Sequence, residues 1–193
     1  MTKIFIIESK AYELIKDYQF SDEIYSRISK YKVKKDYINS FIAWYYLLKI
    51  LKEDYNLENP NIYDNEYHKP LIDGINFNIS HSNNLILIGI SNNNIGLDIE
   101  MVNPTKDLTL LKKKIFNDES IDNEILIKNW TKIEATFKYD GTGIIYSDLK
   151  DEKIKDKTFE NIQTFEILDS FNNKYYYSIK LKEKEKIESN VIH

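Results

Sequence analysis

The chain has 193 residues, 42% of them hydrophobic and 13% aromatic, which is too much apolar surface for a disordered segment and enough for one ordinary domain or two small ones. Its 27 basic and 31 acidic residues leave a net charge of -4, which argues against a general binder of nucleic-acid backbones. The lack of cysteine excludes disulfides, thiolate metal sites and cysteine nucleophiles, and with neither a signal-like start nor a run of membrane-spanning length the expectation is a cytoplasmic protein without nucleic-acid or membrane partners.

Ile4-Phe5-Ile6-Ile7 predicts a short buried strand. Residues 22–54 predict two helices joined by a basic connection, Lys30-Tyr31-Lys32-Val33-Lys34-Lys35. The second carries one apolar face through Tyr37, Ile38, Phe41, Ile42, Tyr45, Leu48 and Leu51 and should end before Pro60. Residues 56–73 are polar, contain Pro60 and Pro70, and read as loop. Residues 75–79 alternate like a half-buried strand, followed by a polar connection, Ser80-His81-Ser82-Asn83-Asn84, and an apolar run over 85–90. Asn92-Asn93-Asn94 can form a tight turn, so residues 95–100 are expected to return as the second strand of a hairpin. Pro104 should break the sheet before two helices over 108–116 and 122–139, the last stopped by Gly141-Thr142-Gly143. A second hairpin is expected over 163–168 and 175–181, turned at 171–174, and the end reads as a lysine and glutamate tail. Helices followed by a hairpin thus occur twice, around Pro104, which predicts an α+β fold with two similar lobes.

Chemistry gathers in three places. Asp98 and Glu100, two apart on a predicted strand, share one face while Leu97 and Ile99 point the other way. Such a pair is either a solvated strand end or a site for a hard divalent cation. Trp130, Glu134 and Lys138 are spaced four apart along one helical face. One reading is an exposed Glu-Lys pair worth ~0.3 kcal/mol. The other makes Glu134 a third ligand or a base and Lys138 a phosphate clamp, with Gly141 and Gly143 letting the backbone turn close by. Ser80, His81 and Ser82 can all donate to a phosphate and directly precede the hairpin that ends in the carboxylate pair.

In order, Phe77-Asn78-Ile79-Ser80-His81-Ser82, Ile95-Gly96-Leu97-Asp98-Ile99-Glu100 and residues 130–138 resemble the 4'-phosphopantetheinyl transferases of the surfactin-synthetase-activating type. Lys69-Pro70, Phe116-Asn117-Asp118-Glu119 and Gly141-Thr142-Gly143 extend the resemblance over most of the chain. It implies a pseudo-twofold pair of α/β lobes, here residues 1–103 and 104–193, with coenzyme A held in the cleft between them. The implied reaction moves phosphopantetheine from coenzyme A to a serine of an apo acyl or peptidyl carrier protein and releases adenosine 3',5'-bisphosphate. Mg2+ is the implied cofactor, with Asp98, Glu100 and Glu134 as its ligands.

By the same resemblance Lys138 reaches the pyrophosphate, Ser80 and His81 meet the 3'-phosphate, and Lys69 with Pro70 lies against the adenine end. Glu134 is the candidate base and His81 its rival. Two positions depart from the pattern. Ile133 stands where many relatives carry a basic residue, and Lys132, one earlier, is rotated by about 100° on the helix. Asn39 stands where relatives often carry an arginine. Arg27, Lys30 and Ser40 are either 3'-phosphate contacts or part of a solvated face, and Lys112-Lys113-Lys114 is either a patch for an acidic carrier or a solvated helix face. The pseudo-dimeric architecture suggests a monomer, and a non-catalytic relative that binds coenzyme A or a carrier is the alternative reading.

Overall fold

Two stretches, residues 4–7 and 85–90, are apolar at every position but one and leave no face for water; the chain organises itself by burying both sides of each. In the computed structural model, which describes residues 1–103, 105, 107–143 and 160–192, they lie in adjacent strands. β1 (Thr2–Glu8) pairs antiparallel with β5 (Leu85–Ser91), β5 pairs antiparallel with β4 (Asn76–Ser82), and β9 (Ile187–Ile192) lies parallel to β1, in the order β4-β5-β1-β9. Phe5, Ile7, Ile86, Ile88 and Ile90 pack on one face against the 22-residue helix α3 (Lys34–Tyr55). Ile4, Ile6, Leu85 and Leu87 pack on the other face against a second sheet.

That sheet has the order β6-β8-β7, from β6 (Ile95–Met101), β7 (Ile162–Leu168) and β8 (Lys174–Leu181), all antiparallel. Leu97, Ile99, Tyr175, Tyr177 and Ile179 face the first sheet, while Tyr176 joins Trp130, Ile133 and Phe137 under α4 (Thr109–Phe116) and α5 (Asn123–Asp140). The α+β protein is thus layered helix, sheet, sheet, helix. A division after residue 103 leaves β6 paired with the C-terminal strands and β9 with the N-terminal sheet.

Both long helices and the 162–181 hairpin lie where the sequence places them. Four expectations change. Residues 85–100 do not form a hairpin: β5, apolar on both faces, needs the interior of the first sheet, whereas β6 must turn its carboxylates toward α5, so residues 92–94 carry the chain from one sheet to the other. Ser80, His81 and Ser82 belong to β4, with Ser82 opposite Leu85 and Asn83 taking the left-handed conformation (φ 50°) in a two-residue turn. The polar stretch 56–73 contains a small antiparallel pair, β2 (Ile62–Asp64) and β3 (Pro70–Ile72). The charged C-terminal stretch supplies β9. The face of α3 is also wider than predicted, because the short helices α1 (Tyr12–Ile15) and α2 (Asp22–Ile28) cover much of the rest and bury Trp44, Leu47 and Ile50 as well. Pro104 lies outside the described residues.

Close contact between α5 and β6 depends on Gly96. A Cβ there would stand 1.9 Å from the Ala135 carbonyl oxygen and 2.5 Å from the Tyr139 nitrogen, both rigid backbone. Gly96→Ala should therefore cost about 2–3 kcal/mol of stability by forcing the helix outward, read as a lower midpoint in urea unfolding.

Candidate active site

β4 and β6 are edge strands of different sheets that run side by side, and short side chains bridge them. Asn78 Oδ1 accepts the Leu97 N–H (3.1 Å), Ser80 Oγ accepts that of Ile99 (3.2 Å) and Ser82 Oγ that of Met101 (3.1 Å). Alternation explains the pattern, since Phe77 and Ile79 point into the α3 core while residues 78, 80 and 82 point toward β6. A hydroxyl both accepts and donates. The Ser80 hydroxyl donates a hydrogen bond to Asp98 Oδ1 and that of Ser82 to Glu100 Oε2, each at 2.9 Å, so the junction that joins the sheets also aims both carboxylates.

Asp98 is 3% exposed, and burial pushes its carboxyl up against the opposing pull of Lys138. Lys138 Nζ lies 2.6 Å from Asp98 Oδ1 and 3.0 Å from Ser80 Oγ. Burial would lower the lysine, but Asp98, Glu134 and Glu100 together hold it above its ordinary value and therefore charged. Glu134, one turn earlier on α5, is pushed up to about 7 by burial and by the negative charge of Asp98 and Glu100, with Lys138 opposing. The predicted Glu134 and Lys138 face is thus real, but Trp130 is not part of it. Trp130 packs in the core beneath α4, and Ile133 is buried there too.

A cleft of about 680 Å³ brings together Asp98, Glu100, Glu134, Lys138, Ser80, His81, Lys69, Pro70, Ser40 and Arg27, with Lys30. Ser82, Asn39, Lys132 and the 112–114 lysines do not line it. Asn39 is buried, its amide donating to the Asn83 carbonyl. Arg27 stands at the wall already engaged, paired with Asp64 and Glu23 and lying 5.9 Å over the Trp44 ring. His81 meets the Tyr31 ring edge-on at 5.8 Å, and burial lowers its imidazole, favouring the neutral form. Lys69 is lowered by burial too.

Sequence reasoning missed Tyr31, Trp44, Tyr67, His68, Asn78 and Phe137 as cleft residues. Three carried a signal. Asn78 shares the alternation of Ser80 and Ser82, Trp44 is four after Ser40 on α3, and His68 directly precedes Lys69. The others are ordinary aromatics in sequence.

The donor chemistry suits a hard divalent cation. Asp98, Glu100 and Glu134 offer only oxygens, and Asp98 Oδ2 is buried without a hydrogen-bond partner among the described residues. As the side chains stand, no three His, Asp or Glu among the described residues are close enough to enclose an ion, and the Lys138 ammonium lies beside Asp98.

The fold and cleft define an α+β protein with carboxylates and a half-buried lysine facing a pocket of ligand size. In sequence the chain is similar to the 4'-phosphopantetheinyl transferase gsp of Aneurinibacillus migulanus (32% identical over 127 residues, 60% of this chain and 53% of that protein). It is also similar to the 4'-phosphopantetheinyl transferase HetI of a Nostoc species (35% over 82 residues, 37% of this chain and 35% of that protein). The matches therefore span about half or less of these relatives' length. No protein-family model matches the chain. Both relatives bear the name of the family that the three ordered motifs resemble.

The raised Glu134 has a consequence for stability. A carboxyl near 7 in the folded chain against an ordinary 4.5 favours the fold below about pH 4.5, and the advantage is lost as pH rises through 7. With metal chelated, the protein should lose stability between about pH 4.5 and 7, and Glu134→Gln should remove about 2 kcal/mol of that loss in urea titrations. Identical pH slopes for both proteins would contradict the burial of this carboxyl between two others.

Proposed function

We propose that the protein is a Mg2+-dependent 4'-phosphopantetheinyl transferase that moves the phosphopantetheine group of coenzyme A to a serine of an apo carrier protein. The observation that supports it most is the meeting of Asp98, Glu100, Glu134, Lys138 and His81 in one cleft, in a chain similar to two transferases of that name. On this reading the helix-on-sheet layers are two pseudo-twofold lobes, residues 1–103 and 104–193, with coenzyme A between them.

In the reaction the carrier serine oxygen bonds to the phosphorus that bears the pantetheine arm, the bond from that phosphorus to the bridging oxygen breaks, and adenosine 3',5'-bisphosphate leaves. Mg2+, held by Asp98, Glu100 and Glu134, would supply charge neutralisation on the pyrophosphate. Lys138, kept protonated by its carboxylate neighbours, turns its ammonium to the same phosphates. His81 and Ser80 donate to the 3'-phosphate, and a neutral imidazole gains a proton as that dianion arrives. Lys69 and Pro70 flank the adenine. Glu134 takes the serine proton.

Intact mass of apo carriers incubated with coenzyme A and Mg2+ checks this. The phosphopantetheine increment should appear on at least one carrier of a fatty-acid, polyketide and peptide panel, and its absence from all would overturn the reading. Asp98→Ala and Glu134→Gln should each lower kcat/KM by about 10²–10⁴. His81→Ala should instead raise the KM for coenzyme A by about tenfold or more, as expected for a lost bond to a charged group.

A further inference from the structure

A helix ends with carbonyls that have no partner of their own, and on α5 most of them are taken by side chains from the other layer. Lys69 Nζ donates to the Lys138 carbonyl at 2.7 Å, Asn94 Nδ2 to that of Tyr139 at 2.6 Å, and Asn65 Nδ2 to that of Gly141 at 2.9 Å. Asn65 does more than cap. Its Oδ1 accepts the N–H groups of Tyr67 (3.0 Å) and Lys69 (2.9 Å), and its backbone closes the same turn with Lys69 and His68. Its amide thus shapes the cleft rim over residues 67–70 and fastens that rim to the end of α5, the helix of Glu134 and Lys138. The fit is tight: Gly141 sits at φ 71°, where a Cβ would come within 2.9 Å of Asn65 Nδ2.

The geometry points to Asn65 as a positioning residue that holds the coenzyme A rim in register with Glu134 and Lys138, a role that rests on the proposed transferase reading. Its side-chain hydrogen bonds among the described residues all go to backbone atoms.

Two substitutions separate its halves. Asn65→Asp keeps an acceptor for the Tyr67 and Lys69 amides but cannot donate to Gly141; Asn65→Ala loses both. Asn65→Asp should bind coenzyme A within threefold of wild type by calorimetry yet lose about fivefold in kcat, the worth of one hydrogen bond, while Asn65→Ala should lose about fivefold in each. Asn65→Asp indistinguishable from wild type in both, or the two variants falling in parallel with their melting temperatures, overturns the positioning role. A wild-type chain that neither binds coenzyme A nor modifies a carrier sinks the transferase reading instead. The clasp is then judged by amide exchange: the Tyr67 and Lys69 N–H groups should stay protected in Asn65→Asp and exchange faster in Asn65→Ala, and unchanged protection in Asn65→Ala overturns it.

Discussion

The edge of a β-sheet leaves backbone N–H groups unpaired, and here two edges meet without a ladder between them. Asn78, Ser80 and Ser82 on β4 supply the acceptors that Leu97, Ile99 and Met101 on β6 would otherwise lack. The rest of the site depends on that junction. It sets the two sheets against each other at the cleft, and because a hydroxyl can accept and donate at once, it directs Asp98 and Glu100 from the same two serines that join the strands. Alanine, which offers neither an acceptor nor a donor, does neither.

A second constraint is the distance from α5 to β6. Gly96 lets the helix backbone come against the strand, which brings Lys138 to 2.6 Å from Asp98 and places Glu134 in the same negative field. Burying carboxylates together is costly unless a cation lies among them. Lys138 fills that role in the chain alone, satisfying one oxygen of Asp98 and leaving Oδ2 without a hydrogen-bond partner among the described residues. The -4 net charge therefore says little about this cleft, where acidic and basic side chains are gathered within one pocket.

What was legible in the sequence was whatever local geometry decides. A period of two puts Asp98 and Glu100 on one face, and a spacing of four puts Glu134 and Lys138 on one turn. The same rule fails for Trp130: eight residues from Lys138, it has drifted by about 80° around the helix, far enough for α4 to claim it. Ser80-His81-Ser82 resembles a connection because nothing in the chain announces the polar partners waiting on β6. Likewise, which strands become edges is a property of the whole fold, so the separation of β5 and β6 into different sheets and the edge strand β9 could not be read from their own residues. Asn65 is an ordinary loop asparagine until Gly141 is beside it.

The central proposal is that the two carboxylates aimed by the β4–β6 junction and Glu134 on α5 form one cation site inside a coenzyme A cleft. A crystal of the chain grown with coenzyme A and Mn2+, examined by anomalous diffraction, tests it most directly. The account predicts one peak between Asp98, Glu100 and Glu134, at about 2.1–2.2 Å from Asp98 Oδ2, with Lys138 turned to the pyrophosphate. Coenzyme A bound with no peak there, and Lys138 still on Asp98, would contradict it.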